Sequence, residues 1–475
     1  MVVRGDLQKP ISVIIFHVMV NLFSYRFFSA LFFLFLPFFI YGCVKGPRGG
    51  NKDISSGNEG KEIFDVAGTS AYAKEHYNTD SNLETKDLAL SSDSIFMQII
   101  GLKNPEEFVP LSSHSRSGYG RSNKEGVTAR RKEIKGHADF FYRDAVLSED
   151  TRWHGLVVVE GGVTVAPQAT LTVESGTVVR FKVVSGGNSK SSLMVFGRLV
   201  INGTIERPVR FSSMYAEAYD SDWHGIVLTG SEKKNLMVNC RVEGAVNGID
   251  ASFSNITMKN VRCARCRTGA RLQDALTVIA GFEAGECGTG LILYDSEADV
   301  RSANFFGNRL GLFASRTSLS ITDARFSGNN LSALVANKCR IDVSHNSFIA
   351  NGTGLCLLAC EGTLSSNRIS SNAFYGVVMK GSRVKVNGND IEGNAKVGIR
   401  TEDGLGAAWG NVIFANGEYD LYNGGIEEFR AVGNWWGESQ TNEVVARIYD
   451  RTIDGSRGRV IFYPQLKIRP ELTIP

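Results

Sequence analysis

The chain has almost no net charge, few histidines and no long apolar run apart from one near its amino terminus. Its 52 Lys and Arg against 49 Asp and Glu leave a formal charge of +3 over 475 residues. No basic block stands out beyond Arg130-Arg131-Lys132, which reads as a solvated turn. Nucleic acid is therefore excluded as the main partner. Of seven histidines, only His154, His224 and His345 fall in the repetitive part of the chain. No Met-rich or His-rich motif accompanies them, so neither a metal site nor any cofactor is expected. Cys263-Ala264-Arg265-Cys266 lacks the second half of a zinc site and the helix setting of a redox motif. The apolar run, Phe27 to Tyr41, is too short to span a bilayer comfortably.

What is present is a repeat. Gly248-Ile249, Gly269-Ala270, Gly290-Leu291, Gly311-Leu312, Ala333-Leu334, Gly354-Leu355, Gly376-Val377, Gly398-Ile399 and Asp420-Leu421 follow one another at intervals of 21 or 22 residues. A repeat this short cannot bury its apolar face alone and must stack on its neighbours, which is the condition for a solenoid. Apolar residues alternate with polar ones in Leu319-x-Ile321, Ile341-x-Val343 and Val384-x-Val386, the two-residue period of strands. No unit has room for two helices. The spacing predicts an all-β fold, a parallel β-helix solenoid of about 12 coils. Its inward positions are Ile249, Leu291, Leu312, Leu334, Leu355, Val377, Ile399 and Leu421.

Two asparagine columns share the interval. Asn308, Asn329, Asn351, Asn372, Asn394 and Asn416 form one, and Asn346, Asn367, Asn389 and Asn411 the other. Stacked Asn side chains bond to one another and to the backbone at turns, each bond contributing ~1 kcal/mol net. A structural ladder is the expectation; a polar binding strip is the alternative.

The position two after each glycine should face solvent, and it reads Asp250, Arg271, Ile292, Phe313, Val335, Cys356, Val378, Arg400, Tyr422. An apolar strip five coils long, rimmed by charge, is either covered by another segment such as Ile95 to Phe108 or marks a contact for a ligand or partner. These residues are the candidate binding site.

The cysteines are expected to stack in pairs. Cys266 with Cys287, and Cys339 with Cys360, occupy equivalent positions in adjacent coils. A coil rise of about 4.8 Å puts each pair within disulfide reach, with stacked free thiols the alternative.

Upstream of the repeat the chain divides by composition. Residues 1–43 read as a signal peptide, with Met19 an alternative start; an uncleaved membrane anchor is the competing reading. Residues 44–139 are rich in Gly, Ser, Asn and charge, as in a flexible tether. Residues 140–234 carry irregular strand patterns, including Trp153-His154-Gly155 and Trp223-His224-Gly225, one device used twice. Residues 235–436 are the regular coils, and 437–475 a cap with a short helix near Thr441 to Tyr449 and a last strand from Val460. Trp435 and Trp436 are expected to close the end, with a sugar-stacking platform as the alternative.

Several segments resemble exported bacterial right-handed parallel β-helix proteins of the pectate-lyase-like superfamily. They are Gly162-Val163-Thr164-Val165-Ala166-Pro167, Gly197 to Thr204 with Pro208 to Ser213, and Gly433-Asn434-Trp435-Trp436-Gly437. Right-handedness is implied by this resemblance, as are three functional classes: enzymes on acidic polysaccharides, NosD-type copper-site maturation proteins, and members without known activity. The hydrolase signatures, an adjacent Asp pair, Gly-His-Gly and Arg-Ile-Lys, are missing, and no catalytic residue is assigned. Ile40-Tyr41-Gly42-Cys43 resembles a lipobox, which implies lipidation at Cys43 and a membrane anchor through lipid. The expectation is thus an exported lipoprotein at the outer membrane or cell surface, binding carbohydrate or an envelope protein. An enzyme on acidic glycans is the first alternative, and a copper maturation factor the second.

Overall fold

The alternation of apolar and polar residues becomes a parallel β-solenoid of about 13 turns, right-handed as expected and one turn longer than the repeat count suggests. The computed structural model describes residues 131–134, 136–183, 190–231, 233–437 and 440–475. Cys43, the signal and lipidation segment, most of the tether and Ile95 to Phe108 lie outside the described residues. Strands begin at Phe140–Leu147, and the one described helix, α1, is Thr441–Ala446.

A regular coil contains three strands, as in Leu310–Ser315, Ser318–Thr322 and Arg325–Ser327. Each pairs in parallel with its counterpart in the next coil, so Leu291 lies on Leu312, then Leu334, Leu355, Val377, Ile399 and Leu421. All of these are fully buried. Phe305, Phe326 and Phe348 stack inside with ring centroids 4.7 and 4.8 Å apart, the coil rise itself. The repeated glycine has a steric cause. A Cβ on Gly290 would stand 2.5 Å from the carbonyl oxygen of Gly311 in the next coil.

Both asparagine columns are ladders. Asn308 Nδ2 donates to Asn329 Oδ1 (3.0 Å), Asn329 to Asn351 (2.9 Å), and so on through Asn372 and Asn394 to Asn416, which ends on Asp420 Oδ1 (2.9 Å). Each side-chain oxygen also receives a backbone N–H from the preceding coil, as Asn329 N gives to Asn351 Oδ1. Asn346, Asn367, Asn389 and Asn411 repeat the pattern and end on Asn434, inside the Gly433 to Gly437 motif. The ladders are buried, which leaves no polar strip for a ligand.

The cysteines extend the same logic. Cys266 and Cys287 precede Asn308 in its column, and Cys287 N donates to Asn308 Oδ1 (2.9 Å). Cys339 and Cys360 lie in a hydroxyl and thiol column with Ser296, Thr317 and Ser382, in which Cys360 N donates to Ser382 Oγ (3.0 Å). The expected pairs do meet, but all seven described cysteines are free and buried thiols. Cys360 bonds to Cys339 and holds that thiol below its usual value, while the same bond pushes Cys360 up.

At the carboxyl end Trp435 and Trp436 are buried, so neither offers a free ring face to a sugar. Phe414 packs on Trp435 at 5.5 Å and the Arg469 guanidinium lies 5.3 Å above its ring. The two Trp-His-Gly units bury Trp153 and Trp223 in the core. Trp223 stacks on Phe181 at 3.9 Å and its Nε1 donates to Glu243 O (2.8 Å).

Candidate functional site

The outward column is continuous in register. Asp250 pairs with Arg271, then Ile292, Phe313, Val335, Cys356, Val378, Arg400 and Tyr422. It continues to Tyr449, which follows Tyr422 at a longer interval than the repeat and so escapes a spacing search. The structure divides this one column into three parts with different surroundings.

The middle of the column is dry. Phe313 is 0% exposed, and Ile292, Val335, Cys356 and Val378 are buried with it. With Tyr294, Leu310 and Leu331 they form a second hydrophobic cluster, separate from the core inside the coils. Tyr294 packs on Phe313 at 5.6 Å. Burial pushes the Cys356 thiol up to about 12, so it behaves as an apolar filler. A sequence shows that such a strip is apolar; it does not show what lies on it.

The amino-terminal end is a buried ion pair. Arg271 Nη1 and Asp250 Oδ2 are 3.5 Å apart with side chains 5% and 1% exposed. Asn247 Nδ2 donates to Asp250 Oδ2 (2.8 Å), and Arg271 Nη2 to Gln273 Oε1 (3.1 Å). His224, one coil earlier, is pushed below the usual histidine value by burial and, less strongly, by Lys190, against the opposing pull of Asp250. His224 belongs to the second Trp-His-Gly unit, and its proximity to Asp250 has no signal in the spacing. His154 sits apart, edge-on to Phe140 at 4.9 Å. Among the described residues no three His, Cys, Asp or Glu side chains converge as metal ligands would.

The carboxyl-terminal end is half-buried and aromatic. The Arg400 guanidinium lies 5.3 Å from the Tyr422 ring and 5.6 Å from Tyr375. Its Nη1 donates to Tyr375 Oη (3.3 Å), and Nε and Nη2 donate to Glu402 Oε1 (3.0 and 2.5 Å). Burial works against the charge of Arg400, yet Glu402 and Tyr375 outweigh it and hold the group above the usual arginine value. Tyr422 stacks on Tyr449 at 4.3 Å, and Tyr419 meets Tyr449 edge-on at 5.4 Å. Burial, with Tyr449 beside it, pushes the Tyr422 phenol up. Partly exposed tyrosine rings around a fixed guanidinium can stack on a sugar ring and bond its hydroxyl or carboxyl groups.

Comparison with known proteins adds the following. The family model described as a right handed beta helix region matches residues 209–348 and 310–434. No curated protein matches the chain. The solved structure of the periplasmic alginate epimerase AlgG is similar at 13% identity and a TM-score of 0.32, over 66% of this chain and 74% of that one. A variant of that epimerase gives 13% identity and a TM-score of 0.38, over 65% and 76%.

Proposed function

We propose that this right-handed parallel β-helix is an exported binding module of the cell envelope, whose ligand is a carbohydrate held at the carboxyl-terminal end of the outward column. The arrangement of Arg400 between Tyr375 and Tyr422 carries the reading, because it is the part of the column that combines partial exposure with aromatic faces and a fixed cation. Tethering through a lipid on Cys43, at the outer membrane or cell surface, belongs to the same proposal, as does an envelope protein as the alternative ligand. Glycan binding measured calorimetrically on the full chain tests it. Arg400→Ala and Tyr422→Ala should each weaken affinity about tenfold or more, consistent with the loss of roughly 1.4 kcal/mol or more. Unchanged affinity in both, with an unaltered circular dichroism spectrum, would sink it.

A second reading, an enzyme acting on acidic polysaccharides, rests on the other end of the column. His224, Asp250 and Arg271 bring a candidate base, a carboxylate and a cation together, and His224 is shifted. Removing a proton beside a uronate carboxyl calls for such groups. Unsaturated or reducing ends released from a polyuronide panel, and lost in His224→Gln, would favour this reading over binding alone.

A further inference from the structure

Ahead of the first strand, Phe140–Leu147, residues 131–134 lie against the excursion that joins strands Val209–Ser213 and Gly225–Thr229. Glu133 bridges Tyr215 in antiparallel register, Ile134 N donates to Met214 O (2.8 Å), and Ala216 N donates to Lys132 O (3.0 Å). The coils pair their strands in parallel, as Val209–Ser213 does with Val178–Phe181, so this short segment is an addition to the repeat and no part of it. Arg131 anchors it. The basic triplet expected as a solvated turn is therefore docked at this residue.

Arg131 Nη1 and Nη2 donate to Asp222 Oδ2 and Oδ1, both at 2.8 Å, and Nη1 donates also to Glu217 O (3.3 Å). The guanidinium lies 4.1 Å from the centre of the Tyr215 ring and 4.3 Å from that of Tyr219. Burial opposes its charge, yet Asp222 and the two tyrosines outweigh burial and hold the group above the usual arginine value. The cage does not need the segment to assemble it. Asp222 is buried and Oδ2 accepts from Ser213 Oγ (2.8 Å) and Tyr219 N (3.0 Å), so the carboxylate is aimed by its own side of the contact. Tyr219 is exposed, which leaves the cage an opening to solvent. Together these groups match a planar fork, a flat cation face and an extended backbone. A lysine would keep the charge and lose the fork and the stacking plane.

We propose that Tyr215, Tyr219 and Asp222 form a receptor for an arginine in an extended peptide, which residues 131–134 occupy in cis and from which a partner protein presenting the same kind of segment displaces them. The segment is joined to strand Phe140–Leu147 through residues 135–139. So short a link gives it an effective concentration on the order of 1 mM, which weak competitors do not overcome and a tight or multivalent partner does. The receptor lies on other coils and uses other residues than the cluster around Arg400, so it stands or falls independently of the carbohydrate reading.

The test uses the full chain with Arg131→Ala and Ile134→Pro, which removes the anchor and one backbone donor, and a fluorescein-labelled peptide of residues 129–137. By anisotropy the peptide should bind this variant about tenfold or more tightly than it binds wild type, whose cage is filled. Lysine in place of the peptide's Arg131 should weaken binding about tenfold, and so should Asp222→Asn added to the protein. Hydrogen exchange separates emptying the cage from unfolding. The Ala216 amide should lose protection in the double variant and regain it with peptide, while strands Asn247–Ser252 and Thr268–Gln273 stay protected throughout. In wild type, unlabelled peptide above the effective concentration should speed exchange at the Ile134 amide, a reading that needs no variant. Equal binding of arginine and lysine peptides, equal binding by variant and wild type, or an Ile134 amide untouched by excess peptide would overturn the receptor and leave residues 131–134 as a structural strap.

Discussion

Arg271 and Arg400 occupy the same register position six coils apart, and each meets an acid, yet they live in different media. The Asp250–Arg271 pair has side chains 1% and 5% exposed. Arg400 and Glu402 are 19% and 18% exposed, and tyrosines lie beside them. An identical strand position thus holds a buried pair at one end and a partly exposed pair at the other. Strand geometry fixes where a side chain points, and only its cover decides whether water and ligand reach it.

Breaking the dry pair should have the largest effect. Arg271→Met leaves Asp250 buried without its cation, and the free energy for opening strands Asn247–Ser252 and Thr268–Gln273 should fall by about 3–5 kcal/mol, read by hydrogen exchange. Replacing both partners with leucine should recover most of that loss. A full recovery would show that the pair is retained for something other than stability.

Acid should distinguish the two ends next. His224 has a folded value below its ordinary 6.5, so the unfolded chain binds more protons in the window between them. Stability contributed by neutral His224 is present above about 6.5 and is lost as pH falls toward the folded value. Exchange protection near His224 should decline through that window while protection near Arg400 stays level, and His224→Gln should flatten the difference. A parallel decline at both ends would remove His224 as the cause.

The smallest effect is expected at the wet end. Arg400→Met should cost below about 1 kcal/mol of local stability, because a partly exposed pair is screened by solvent. Its consequence belongs in binding. A loss as large as that of Arg271→Met would mean that Arg400 is structural.

Much of the fold was legible in the sequence because the repeat makes the same statement many times. The inward columns and the Asn ladder needed only the interval and the pairing rule. Other features were hidden for local reasons. Arg316, Lys338 and Ala359 all take left-handed backbone at one corner, with φ of 51, 53 and 51°. These residue types give no turn signal; stacking on the coils above and below holds them there. For Cys339 and Cys360 the matching positions left a disulfide and stacked free thiols both open, and the structure places each sulfur where neighbouring coils use a hydroxyl. The candidate site was only half visible. Arg400 and Tyr422 lie on the repeat, but Tyr375 is off the column and Tyr449 arrives from the cap.

The amino-acid sequence by itself determined the coil, since a short apolar period with glycine at each close approach has no other way to bury its side chains than stacking. Tertiary structure alone decided what each outward position became. Burial of a face depends on which part of the chain comes to lie on it. That packing event depends on surfaces meeting in space, and no interval along the chain encodes it.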